Sequence, residues 1–600
     1  MNTLISTKRA DSEARLRATL AGIVLVTCAF GFLAAKHLTA QDEPMPYAPG
    51  AFGVWGWDWL TAGGDAQRSS SVRNDRWISR ATVTKPGPRL VYKIALPNTP
   101  RQMNSLSQPI LLQTARGLTG FKSMGFVTGS GGMAFGFDYD TSQVLWKTPL
   151  GAAAGQGSGT LACPGGLTTG LARPTPLAIA NVTDSEAGRG VAPGNLPGAR
   201  KSGTAVGTPG EGAPIVDALQ KAPMGTGRGG GAGGSGRGGG GFGGGGGRGA
   251  SGVFALGADG MLHQLSMQQG FDVSMQPVNF LPPNANASGL ILVDNVAYAA
   301  TSNNCGGVPN GVWSLELATK AVTTWKTNGG SIAGSAGAAF GADGTLYAAT
   351  ADGDYTPASY SDSVVSLEPK TLKLRDYFTP GKSEFNSSPV VFSYRGRDLL
   401  AASNRDGRLY LLDGAALGGA DHRTPLSTSA KFTDNATDYA PGALTSWMDS
   451  GGTRWVLAPM AGTLAAGSGF ASANGAITNG TVVAFKVADQ GGKPVLTPAW
   501  ASRDLVSPVT PVVVNGVVFA LSSGEFHSGD SSVTATQRAQ RSQPAVLYAL
   551  DAFTGKELWN SGKTIMSFSP HSAGLAVSTG QIYIVTYDST VYAFGFEEKD

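Results

Sequence analysis

Leu547-Tyr548-Ala549-Leu550-Asp551-Ala552-Phe553-Thr554-Gly555-Lys556-Glu557-Leu558-Trp559 is the stretch from which the rest of the chain becomes readable. Its first four residues are apolar and suit a buried strand. Asp551 to Gly555 then supplies the Asp and Gly that a tight turn accepts, and Leu558-Trp559 opens the next strand. Seven other segments share the frame: Ala134-Phe135-Gly136-Phe137-Asp138, Leu262-His263-Gln264-Leu265, Val312-Trp313-Ser314-Leu315-Glu316, Val364-Val365-Ser366-Leu367-Glu368, Leu409-Tyr410-Leu411-Leu412-Asp413, Val482-Val483-Ala484-Phe485 and Val591-Tyr592-Ala593-Phe594. Trp146 and Trp325 stand where Trp559 stands, and Trp500 does so more loosely. An apolar strand precedes many copies, as at 125–128, 297–300, 345–348 and 581–584, and inner strands such as 388–392 and 510–514 come before those. Most copies recur at roughly the ~50-residue period of a four-stranded unit. Such units expose apolar faces when alone, so they stack.

Composition agrees. The 600 residues include 87 glycines and only 14% charged residues, which favours short strands and tight turns over long helices. A formal net charge of +4 gives no electrostatic support for binding nucleic acid. No zinc-finger, P-loop or dinucleotide-binding spacing occurs, and no metal site is expected.

Residues 1–40 read as a signal peptide or an N-terminal anchor. Lys8, Arg9, Arg15 and Arg17 precede an uncharged run from Leu20 to Ala35. That run is shorter than the roughly 20 apolar residues of a spanning helix and suits a signal-peptide core cut after Ala40; retention as an anchor in the inner membrane is the competing reading. Either way the bulk of the chain, 41–600, is expected in the periplasm or outside the cell. With Cys28 in this segment, Cys163 and Cys305 remain, an even number for an oxidising compartment. Residues 181–251 are low-complexity. Of the 25 residues from 225 to 249, 18 are glycine, interspersed with Arg228, Arg237 and Arg248; such a segment buries too little apolar area to order itself and reads as a disordered insertion.

The 547–559 stretch resembles the repeat of pyrroloquinoline-quinone (PQQ) type propellers, and Trp59-Leu60-Thr61-Ala62-Gly63-Gly64-Asp65 resembles the Trp-x-x-x-Gly-Gly-Asp opening of the same superfamily. The resemblance covers about residues 55–597 and implies an all-β, eight-bladed β-propeller of four-stranded blades, closed by an N-terminal strand. Residues 90–96 resemble the outer strand at 144–150 but have no blade of their own, and the last copy at 591–594 lacks an outer strand. The two deficits match, so 90–96 is expected beside 591–594, which removes an open sheet edge. In that topology the loops bearing Cys163 and Cys305 emerge on one face of neighbouring blades, and a disulfide between them is expected.

The repeat is shared by quinoprotein dehydrogenases and by assembly-factor propellers without catalysis. The alcohol-oxidising relatives carry adjacent cysteines over the cofactor, and this sequence has none; their Ca²⁺-ligand and base motifs are also not recognisable here. The favoured reading is a non-catalytic scaffold of the cell envelope that binds a protein or a small-molecule ligand. The alternative is a PQQ- and Ca²⁺-dependent dehydrogenase of alcohols or sugars. Inner-strand starts place Asn104, Arg173, Asn386, Ser388, Ser507, Ser569 and His571 at the channel mouth. Arg173 either clamps a carboxylate or makes a structural ion pair. His571 either binds an anion or acts as base, or it bonds backbone at a strand end. Asp352 and Asp354 read as a solvated turn rather than a Ca²⁺ loop, and Trp55, Trp57 and Trp59 as packing of the N-terminal arm against the propeller.

Overall fold

The computed structural model describes residues 58–596 except 74, 118–119, 152–158, 178–251, 274–275, 352, 354–358 and 434–441. Residues 1–57, with Cys28, Trp55 and Trp57, the glycine-rich segment within 178–251, Asp352 and Asp354 lie outside the described residues.

All eight sequence repeats form the third strand of a sheet, and the sheets are the eight blades of a propeller. Blade 7 shows the pattern: Val512–Val514, Val517–Ser522, Val546–Asp551 and Glu557–Asn560 are antiparallel neighbours in order. Asp551 Oδ1 accepts from the backbone amides of Phe553 and Thr554, both at 2.9 Å, and Gly555 takes φ +70°, so each turn residue does what its chemistry favours. Asp138 does the same in blade 1 for Asp140 and Thr141. The inner strand of blade 2 is reduced to one bridge, Ala172 opposite Phe254.

Strand residues are apolar on both faces because each blade is covered on both sides. In blade 3, Ile291, Val293, Tyr298 and Ala300 face blade 4, while Leu290, Leu292, Ala297 and Ala299 face blade 2. Such clusters fill the interfaces round the ring, and one joins blades 7, 8 and 1. The outer-strand tryptophans couple neighbours. Trp146 Nε1 of blade 1 donates to the Met267 carbonyl of blade 2 at 2.7 Å, and Trp500 Nε1 of blade 6 to the Ala552 carbonyl of blade 7 at 2.9 Å. A Cβ on Gly270 or Gly555 would stand 2.5 Å from those rings, which is why a turn glycine recurs beside each of them.

The ring closes as the unpaired strand requires. Arg89–Ala95 pairs antiparallel with Thr590–Gly595 as the outer strand of blade 8.

A further circuit runs along the axis. The segment from Trp59 to Asp75 bonds to the blades in order. Trp59 and Leu111 exchange backbone bonds in blade 1, and the Arg173 amide of blade 2 donates to the Leu60 carbonyl. Thr61 Oγ1 donates to the Leu290 carbonyl of blade 3. Phe340, Val391 and Ser446 of blades 4, 5 and 6 donate to the carbonyls of Ala66, Gln67 and Ser69. Ser71–Val72 then lies parallel to Val513 and Val514 of blade 7, and the Gly580 amide of blade 8 donates to Asp75 Oδ2 at 2.6 Å. Trp59 is accordingly buried.

Candidate functional site

The inner-strand starts surround an axial cavity of about 70 Å³. Asn104, Ser107, Thr169, Ser335, Thr510 and Ser572 contribute to its wall, and Ala62, Gly63 and Ser70 of the axial segment contribute to its lining from the other side. Every described lining residue is uncharged. Several hydroxyls bond protein groups: Ser572 donates to Asn104 Oδ1 at 2.9 Å, and Thr510 Oγ1 bonds the Ala443 carbonyl. Ser70 Oγ is buried with no hydrogen-bond partner among the described residues.

Below the lining, Arg68 is fully buried. Its guanidinium donates to the carbonyls of Ala338 at 3.0 Å, Ala62 at 2.7 Å and Gly289 at 3.0 Å, and to Thr61 Oγ1 at 2.8 Å. It therefore ties the axial segment to blades 3 and 4. Desolvation lowers its pKa to about 9, against the pull of Asp65.

Of the residues expected at the mouth, Asn104 lines the cavity. Arg173 stands outside the lining; Nη1 donates to the Gly252 carbonyl at 2.7 Å, and its charge acts on Asp58. Burial pushes the Asp58 carboxyl up to about 7, against the Gln113 amide and the Arg173 charge. Ser388 is buried and its hydroxyl bonds the Ala333 carbonyl, while the Asn386 amide donates to the Ser403 carbonyl.

Ser507, Ser569 and His571 come together around Glu525, a residue that sequence reasoning passed over. Ser507 Oγ donates to the Glu525 carbonyl at 2.8 Å, and the Ser569 amide to the Ser523 carbonyl at 2.9 Å. The His571 amide donates to Glu525 Oε2 at 2.6 Å, and its Nδ1 lies 3.1 and 3.0 Å from Oε1 and Oε2. His527 Nε2 is 3.6 Å from Oε1. Desolvation would raise the Glu525 carboxyl, but the charge and hydrogen bonds of His571, with His527, hold it below its ordinary value. Desolvation likewise opposes protonation of His571, and Glu525 outweighs it, so that imidazole titrates above its usual range. The pattern Glu525-Phe526-His527 was visible in the sequence; its meeting with His571, beyond a helix and two strands, was not.

The fold is an eight-bladed β-propeller, and solved structures share it. Quinohemoprotein alcohol dehydrogenase from Comamonas testosteroni superposes with a TM-score of 0.52 at 13% identity, over 90% of this chain and 81% of that one. Quinohemoprotein alcohol dehydrogenase ADHIIG from Pseudomonas putida HK5 gives 0.50 at 10% identity, over 90% and 81%. BamB from Moraxella catarrhalis gives 0.39 at 11% identity, over 86% and 99%. At these identities the likeness to the two dehydrogenases concerns architecture. No family model and no curated protein matches the sequence.

Pyrroloquinoline quinone, the cofactor that the sequence resemblance implies under its dehydrogenase reading, does not suit this cavity. Pockets that enclose ligands of that size hold roughly 300–1,000 Å³, against about 70 Å³ here. A tricarboxylate calls for Arg or Lys, and its Ca²⁺ for carboxylate oxygens. The described lining offers neither.

Proposed function

We propose that this chain is an exported, non-catalytic propeller that binds a protein or a small uncharged ligand through the face bearing the channel mouth. The observation that carries the reading is the small axial cavity, whose described lining is uncharged, backed by the segment that Arg68 pins. Hydroxyl and amide groups around that cavity suit a neutral polar guest. Export is supported by the basic and apolar leader pattern and by the Cys163–Cys305 disulfide.

Titration of the purified protein with PQQ and Ca²⁺ tests the reading. Free-cofactor absorption should persist, and ethanol or glucose should reduce no dye. Stoichiometric quinone uptake with turnover abolished by chelation would establish the dehydrogenase instead. Fractionation of expressing cells should place the protein outside the cytoplasm.

A further inference from the structure

We propose that Glu525, His527 and His571 form a three-ligand site for a divalent transition-metal ion of the zinc type, beside the channel mouth. One carboxylate oxygen and one nitrogen from each histidine all lie within 4.8 Å of one another. A tetrahedral ion with ligand bonds of about 2.0–2.2 Å separates its ligand atoms by roughly 3.4 Å. From Glu525 Oε1 the distances are 3.1 Å to His571 Nδ1 and 3.6 Å to His527 Nε2, on either side of that spacing. Two imidazoles and one carboxylate are a donor set that zinc and ferrous ions accept with coordination positions left open. Ca²⁺ and Mg²⁺ prefer oxygen ligands and are disfavoured.

The backbone holds the donors before any ion arrives. Gly524 takes φ +74°, and a Cβ there would meet the Gln543 carbonyl oxygen at 2.0 Å, so the turn that presents Glu525 requires glycine. The Gln543 amide donates to the Gly524 carbonyl, and the Phe526 amide to Ser542 Oγ, both at 2.9 Å. Ser542 and Gln543, which directly follow the helix Ala535–Arg541, thereby hold both sides of Glu525. Glu525 is buried to 3% side-chain exposure, whereas His571 is 36% exposed, so solvent reaches the cluster from the histidine side. Ser572, next to His571, lines the axial cavity. Open metal positions would therefore offer a Lewis-acidic contact near the mouth. The site is independent of whether the cavity itself takes a ligand.

The test is metal binding by the chelator-stripped, full-length protein. Zn²⁺ competition against a chromophoric chelator should show one ion per chain, and Co²⁺ should give the intense visible bands of a tetrahedral centre. His527→Gln and His571→Gln should each weaken Zn²⁺ binding at least ~10-fold and abolish the cobalt bands, while His263→Gln, in a separate ion pair with Asp272, should change neither. Glu525→Gln disturbs a buried group, so the half-exposed His571 carries the decision. Absence of stoichiometric binding, or unchanged affinity in His527→Gln and His571→Gln, overturns the proposal.

Discussion

Ile94 lies directly opposite Val591, so a strand from near the start of the described chain forms the outer edge of the blade made last. Ile94 is 6% exposed and packs in the cluster that joins blades 7, 8 and 1. Ile94→Ala should cost about 2–4 kcal/mol in urea unfolding. Val91, on the same strand and 44% exposed, should change stability by no more than ~0.5 kcal/mol when replaced by alanine. Equal effects would mean that the closure carries no packing energy.

Arg68→Met should destabilise the protein by at least ~3 kcal/mol. The carbonyls of Ala338, Ala62 and Gly289 would lose a buried donor, at about 1–3 kcal/mol each. Arg68→Lys should not restore wild-type stability, because a single ammonium cannot reproduce the planar fork that reaches several acceptors. The midpoint of chemical unfolding reads both.

Cys163 and Cys305 are bridged, with Cα atoms 5.4 Å apart and a sequence separation of 142. The chain-entropy model assigns a loop of that size about 4–5 kcal/mol. Cys163→Ser/Cys305→Ser, or reduction of the wild type, should lower the unfolding midpoint in the same direction and to a similar degree. An unchanged midpoint in both would contradict the assignment.

Asp504 acts as an acid-sensitive clasp on blade 6. Oδ1 accepts from the amides of Thr478 at 2.8 Å and Asn479 at 2.7 Å. Desolvation opposes ionisation, but these bonds outweigh it and hold the carboxyl below its usual 3.8. A folded value below the unfolded one gives a contribution that is full above about pH 4 and fades as pH falls through the folded value. Protection factors of the amides at 478–480, taken relative to the intrinsic exchange rate at each pH, should fall on acidification, and Asp504→Asn should show the lower protection already at neutral pH.

The blades were legible because they repeat a local rule. Leu547 to Leu550 are apolar on both faces since both faces meet a neighbour, and the Asp551 and Gly555 positions answer to turn geometry. The closure was legible as a missing partner at each end. The circuit of Trp59 to Asp75 was not, because its contacts are mostly backbone groups bonding backbone groups, which leave little mark on side-chain pattern. Trp59 and the Gly63-Gly64-Asp65 run signalled that the segment mattered without saying that it visits every blade. Glu525 escaped notice for a different reason: it sits in the connection between the strands Val517–Ser522 and Val546–Asp551, whose meaning appears only when the chain returns at His571.

The Cys163–Cys305 bridge spans the whole of residues 178–251. A single peptide-bond cut anywhere between the two cysteines therefore severs the main chain without separating the molecule. The piece bearing blade 1 and the piece bearing blades 4 to 8 stay linked through sulfur and through the strand pairing of Arg89–Ala95 with Thr590–Gly595. Nicked protein would run as one species until a reductant and a denaturant were both present, so an intact band on a non-reducing gel says nothing about whether the insertion has been cleaved.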